Sequence, residues 1–199
     1  MKVDIEDILF WMDAIRNSDD KYRTLESFWK GQVYSKLWLI ENLEKFVENK
    51  PNCIAIYGGW NGVLSALLFN SGIPIKHITS IDVDDTCEDT ARTINKRYEM
   101  QGRFSAITAN MCNYSTDADI IINTVCEHIT QQEHNSWLDN QSKQSLIVLQ
   151  SNNYEIPEHI RVARSLCEFA NQSQLKIVYE DFLELSLYTR WMLFGYKSV

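Results

Sequence analysis

Apolar residues fall into two regimes along this chain, and the change comes near residue 51. Before it, Ile5, Ile8, Leu9, Met12 and Ile15 recur at helical spacing, and Asn17-Ser18-Asp19-Asp20 interrupts them. Val33, Leu37, Ile40, Leu43 and Val47 then resume the period until Pro51 and Asn52 close it. The spacing predicts a helical N-terminal cap over residues 1–50. Its aromatic residues Trp11, Phe28, Trp29, Tyr34 and Trp38 are expected to pack against a sheet, with a lid over a substrate pocket as the second reading. Beyond residue 51, short apolar runs alternate with amphipathic stretches, the pattern of βαβ units around a parallel sheet. Strands are predicted at 53–57, 77–82, 104–108, 119–123 and 144–150. The helix after Asp82 carries a capping-box pattern, Asp85-x-x-Glu88, and an apolar face of Cys87, Ala91, Ile94 and Tyr98. Pro157 suits the first turn of a further helix, with Ile160, Ala163, Leu166, Cys167 and Ala170 along one side. Two strand-like runs, 175–185 and 187–196, follow with almost nothing between them and are expected to pair as an antiparallel hairpin.

The sharpest local signal is Cys53-Ile54-Ala55-Ile56-Tyr57-Gly58-Gly59-Trp60-Asn61-Gly62-Val63-Leu64-Ser65, an apolar run that ends in a glycine turn and reopens as a helix-compatible run. This is how a buried parallel strand hands over to a helix beside a nucleotide-sized ligand, because glycine lets the backbone bend sharply and approach the ligand. Three of the chain's 7 glycines stand in this one turn, so they are not scattered. The next run, His77-Ile78-Thr79-Ser80-Ile81-Asp82, ends in an acid twenty positions after Gly62 (82 − 62), near the spacing at which a carboxylate meets a ribose.

Composition narrows the class. At 199 residues, with 45% hydrophobic and 23% charged residues and no repeat or linker, one globular domain over 1–199 is expected, with residues 51–199 as its core. No apolar run is long enough to span a bilayer and the first residues are acidic, so a cytoplasmic protein with no membrane partner is expected. The net charge of −8 argues against nucleic acid as a partner, and Arg92/Lys96/Arg97 and Arg161/Arg164 read as solvated helix faces. Five widely spaced cysteines without a Cys-x-x-Cys pair suggest neither a disulfide framework nor a zinc ribbon.

The glycine turn, the acid ending the second strand and the terminal hairpin together resemble the class I S-adenosylmethionine-dependent methyltransferase superfamily over residues 50–199. The resemblance implies an α/β fold: a doubly wound, seven-stranded sheet, mostly parallel with an antiparallel C-terminal strand, preceded here by N-terminal helices. It implies S-adenosylmethionine as cofactor, held by Tyr57, Gly58, Gly59, Trp60, Gly62, Asp82, Asn110, Met111 and Asn123. Two positions depart from the family: Ile56 stands where an acid usually precedes the glycines, and Trp60 replaces the middle glycine.

Ligands of open α/β sheets gather at the carboxyl ends of the strands, which draws attention to Asn123-Thr124-Val125-Cys126-Glu127-His128 and Gln150-Ser151-Asn152-Asn153-Tyr154. Methyl transfer needs an aligned acceptor and, for some acceptors, a base. Glu127 and His128 are the candidate catalytic residues, with Asn152, Asn153 and His159 as substrate-binding candidates; the alternative is a helix-capping Glu127 with surface histidines. Thr124 and Val125 replace the prolines of the family's amine-methylating motif, which disfavours that subclass. Glu127 with Asn152 or Asn153 makes a weak hard-cation site, so no metal is expected, and Cys126 is not expected to act as a nucleophile. The reading is a methyltransferase acting on a small molecule or a protein side chain. An aminopropyl-type transferase and a catalytically inactive binding subunit of the same fold stand as alternatives.

Overall fold

The computed structural model describes residues 1–198. Seven strands form one mixed sheet in the order β3-β2-β1-β4-β5-β7-β6, and the chain divides into two compact units, Met1–Ala109 and Asn110–Val199.

The first unit contains β1 (Asn52–Tyr57), β2 (Ile75–Asp82) and β3 (Phe104–Thr108), paired in parallel. β1 is buried along nearly its whole length, as a strand covered on both faces must be. Six helices accompany these strands: α1 (Ile5–Asn17), α2 (Lys21–Glu26), α3 (Lys30–Leu43), α4 (Val63–Phe69), α5 (Glu88–Ile94) and α6 (Lys96–Met100). Cys87, Ala91, Ile94 and Tyr98 are all buried, as their spacing predicts. The capping box does not form. Asp84, not Asp85, caps a short 3-10 turn at Asp85–Cys87, while the Glu88 carboxylate accepts from Thr108 N and Oγ1 and pairs with Arg92.

The N-terminal cap is helical, but α1 is turned over relative to its expected packing. Ile5, Leu9 and Met12 are 67%, 60% and 54% exposed, and the fully buried residues of the helix are Asp7 and Ala14. Asp7 Oδ2 accepts from Asn70 Nδ2 (2.7 Å) and the Tyr98 hydroxyl (2.8 Å), and Arg97 lies 3.7 Å from Oδ1. Hydrogen bonds to a charged group contribute about 1.5–3 kcal/mol each, and a buried carboxylate must have them, so this cluster decides which side of α1 faces inward. The aromatic residues do not all pack as expected either. Trp29 and Tyr34 are mostly exposed, while Trp11 meets Phe28 within the cap, ring centroids 5.6 Å apart.

The second unit contains β4 (Ile120–Asn123), α7 (Gln131–Asp139), β5 (Leu146–Asn152), α8 (Leu166–Ser173), β6 (Leu175–Glu184) and β7 (Thr189–Lys197). β4 and β5 are parallel, and β7 runs antiparallel to both β5 and β6, giving the terminal hairpin its expected place. Four residues connect its strands, closed by Leu185 N donating to Tyr188 O at 2.9 Å. The helix predicted from Pro157 starts instead at Leu166, where Ser165 caps it by accepting from Glu168 N. Residues 153–165 form an irregular segment because the N–H groups of Ile160 and Arg161 are both drawn to the carbonyl of Glu127, at 2.9 and 3.0 Å. No helix among the described residues is long and apolar enough to cross a membrane.

His134 on α7 is fully buried and donates from Nε2 to the Ser173 carbonyl at 3.0 Å, which leaves it neutral with an unprotonated Nδ1. Burial, reinforced by the Arg161 charge, pulls its pKa from 6.5 down to about 4. The unfolded chain therefore takes up a proton that the folded chain refuses. The stability that a neutral His134 protects is complete above pH 6.5 and drains as pH falls toward 4, by about 3 kcal/mol. Denaturation midpoints measured from pH 7.5 to 4.5 should show this loss, and His134→Gln should remove that component of the slope.

Candidate functional site

In the first unit, β1 runs into Gly58 and Gly59, whose N–H groups both donate to the Ile81 carbonyl, at 2.9 and 3.1 Å. The strand end of β2 thus clamps the glycine elbow. Gly62 follows at φ +74° and opens α4; a side chain there would press on Asn95 and on the α5 backbone at Ala91. Trp60 adopts φ +47°, a conformation costly for a bulky L-residue. The acid at the end of β2 holds it there: Trp60 N donates to Asp82 Oδ2 at 2.8 Å, and Asp84 N donates to Asp82 Oδ1 at 3.1 Å. Elbow and acid form one hydrogen-bonded corner. Each Asp82 oxygen keeps a further acceptor site, so the half-buried carboxylate can still receive a pair of hydroxyls. Beside it, Thr86 and Arg23 hold Asp84 down to about 2. Tyr57, by contrast, has its side chain fully buried in the core.

In the second unit, Asn110 is exposed and its Oδ1 accepts from Cys112 N at 2.8 Å, while Asn123 is fully buried and reaches Met111 Sδ at 4.0 Å. The loops after β4 and β5 converge. Glu127 is 2% exposed, and its Oε1 accepts from Asn152 Nδ2 at 2.5 Å with Arg190 Nη1 at 3.8 Å. Asn152 Oδ1 in turn accepts from Tyr154 N, and the Tyr154 carbonyl meets His159 Nδ1 at 2.6 Å. His128 Nδ1 lies 3.1 Å from the Glu158 carbonyl, and the two imidazoles meet edge to face, centroids 4.6 Å apart. A carbonyl only accepts, so both histidines carry a proton on Nδ1, and in the neutral imidazole Nε2 is then the lone pair. Asn153 Oδ1 accepts from Thr189 N at 2.7 Å.

Glu127 does not cap α7, because Thr130 and Glu133 form that capping box. Cys126 is fully buried, and burial pushes its thiol up to about 12, which favours the protonated, weakly nucleophilic form. The basic residues divide. Arg92, Lys96 and Arg97 sit in ion pairs at the surface, whereas Arg161 is buried, with Nε donating to the Cys126 carbonyl and Nη1 to Gln131. Arg161, expected on a solvated helix face, is thus buried in the irregular segment instead, and Arg190 is the residue sequence reasoning passed over. Arg190 had a signal, as the one cation in the apolar run Thr189-Arg190-Trp191-Met192-Leu193-Phe194.

This strand order, with its antiparallel β7 and N-terminal helices, is the Rossmann-like fold of class I S-adenosylmethionine-dependent methyltransferases. Magnesium protoporphyrin IX methyltransferase from Synechocystis PCC 6803, with bound SAH, matches at TM-score 0.68 and 12% identity, over 98% of this chain and 95% of that one. Mitomycin 7-O-methyltransferase MmcR matches at TM-score 0.65 and 15% identity, over 94% of this chain and 60% of that one. M. capricolum TrmK, in complex with S-adenosyl-homocysteine, matches at TM-score 0.57 and 16% identity, over 81% of this chain and 68% of that one. No protein-family model and no curated protein matches by sequence.

Proposed function

We propose that this chain is an S-adenosylmethionine-dependent methyltransferase acting on a small molecule or a protein side chain. The observation that carries the reading is the corner in the first unit, where the acid of β2 is hydrogen-bonded to the glycine elbow and keeps acceptor sites for ribose hydroxyls. Gly58, Gly59, Trp60 and Gly62 would line the cofactor from the elbow, and Asp82 would hold the ribose. The fully buried side chain of Tyr57 leaves only its backbone for that purpose. When bound, the cofactor supplies an electrophilic methyl group on a sulfonium.

The chain's own residues supply the handling of the acceptor. His128 is exposed, and with Nδ1–H on the Glu158 carbonyl its neutral form offers Nε2 to take the acceptor's proton. Glu127, buried and tied to Asn152 and Arg190, fits better as the group that fixes the loop. His159 would orient the acceptor, with Asn152 behind it through the Tyr154 link.

Calorimetry with S-adenosylmethionine and S-adenosylhomocysteine tests the reading, and absence of binding by either at millimolar concentration sinks it. Asp82→Ala should weaken binding by about 1–3 kcal/mol through a lost charge-assisted hydrogen bond. Trp60 in the elbow favours one rival, a binding subunit with no turnover; product mass then separates it from methyl or aminopropyl transfer.

A further inference from the structure

We infer that Glu127, His128 and His159 form a binding site for a first-row divalent transition-metal ion, with zinc as the probe of choice. The inference does not depend on the methyltransferase reading; an ion would engage the Nε2 of both histidines, so the proton-accepting role of His128 and the acceptor-orienting role of His159 belong to the metal-free chain. From sequence, the best cation site was a hard one, Glu127 with asparagine oxygens. The fold assembles a different donor set, with a carboxylate oxygen and two imidazole nitrogens all within 4.8 Å of one another.

Three features mark the cluster as built. Glu127 is 2% exposed, and its Oε2 has no hydrogen-bond partner among the described residues, although Oε1 accepts from Asn152 and faces Arg190. Leaving a buried carboxylate oxygen unpaired is costly, and a cation bound there would remove that cost. Next, both imidazoles direct Nδ1–H at backbone carbonyls, those of Glu158 and Tyr154, the outer contacts that orient metal-ligating histidines and free Nε2 for an ion. Finally, the backbone holds the donors together. Ile160 and Arg161 N–H groups grip the Glu127 carbonyl, and Asn152 bridges the Glu127 carboxylate to the Tyr154 backbone, which carries His159.

The donor chemistry selects the ion. Two imidazoles and one carboxylate suit zinc, iron, cobalt or nickel, while magnesium needs a cage of oxygens. Around zinc at about 2.0–2.1 Å, ligand atoms stand about 3–3.5 Å apart, so the side chains close by roughly an ångström on binding. Arg190 Nη1 stands 3.8 Å from Oε1 and the buried Arg161 also interacts with this carboxylate, so an ion would share a single charge with both arginines. The ion is therefore held chiefly by nitrogen. Three protein ligands leave positions open for an exogenous oxygen or nitrogen group.

The test uses the full chain, stripped with a chelator, exchanged into buffer and titrated with zinc chloride in a calorimeter without cofactor. One equivalent should bind, excess magnesium should not compete, and His128→Ala and His159→Ala should each weaken binding at least about tenfold. Asn152→Ala, which positions Glu127, should weaken it about 10- to 100-fold. Equal zinc binding by the double histidine variant would overturn the site and point to the free thiols of Cys112 or Cys167. Should a variant fail to fold, cobalt(II) added to the unaltered chain decides the matter by NMR. Two of the 4 histidine rings should broaden and shift strongly, and no perturbed ring overturns the inference. Failure of cofactor binding with zinc binding intact would leave this site standing, and the reverse would leave the methyltransferase reading standing.

Discussion

Gly62→Ala should destabilise the first unit by about 2–5 kcal/mol. Two costs add. A non-glycine residue at φ +74° costs about 1–2 kcal/mol. The new Cβ would also stand 2.6 Å from Asn95 Nδ2 and 3.0 and 3.1 Å from Ala91 Cβ and Cα, and overpacking of this kind costs about 1–3 kcal/mol. Asn95 cannot easily yield, being fully buried with Nδ2 donating to the carbonyls of Gly62 and Ala91. Gly102 provides the internal control. It has φ +68° and nothing within 4 Å of a Cβ, so Gly102→Ala should cost the dihedral part alone. The difference between the two variants in chemical denaturation isolates the clash. Equal losses would mean that the elbow relaxes around a side chain.

Glu127→Ala should cost about 3–5 kcal/mol, the range for removing one member of a buried ion pair. It strands the Arg190 guanidinium, 9% exposed in its side chain, and removes the acceptor of Asn152 Nδ2. The companion double variant, Glu127→Met with Arg190→Met, should recover most of that loss, because an apolar pair of similar volume carries no desolvation penalty. A single-variant loss below about 1 kcal/mol would show that the two charges do not depend on each other. Metal titration and this denaturation series read different things, since zinc is absent from the second.

Much of the fold was legible because buried strands and the hairpin announce themselves by apolar runs. β3 fell where its run fell, and β1, β2, β4 and β5 differed only at their ends. The failures share a cause: polar groups overruled local pattern. The stripe Ile5, Ile8, Leu9, Met12 specified an apolar face, but the Asp7 carboxylate found Asn70 and Tyr98 and turned the helix over. Pro157 looked like a helix start, yet the Glu127 carbonyl, thirty residues earlier, claimed the N–H groups nearby. At the candidate site, Glu127, His128 and His159 were visible as chemistry-bearing residues, and their convergence was not, because it depends on long-range backbone contacts. Asp82 was read as a ribose contact; its hold on Trp60 N was hidden because nothing in a sequence marks a left-handed tryptophan.

The inverted seating of α1 has a thermodynamic consequence. Among its apolar side chains only Ala14 is fully buried, and its hold on the rest of the unit centres on the Asp7 cluster. Local opening of this segment exposes the half-buried Phe10, Trp11 and Ile15 but none of the strand core, and so carries a heat-capacity change well below that of the whole unit. Its amides should exchange with solvent through a low-energy excursion whose free energy varies less with temperature, while the strands behind it follow the steeper curve of the whole unit.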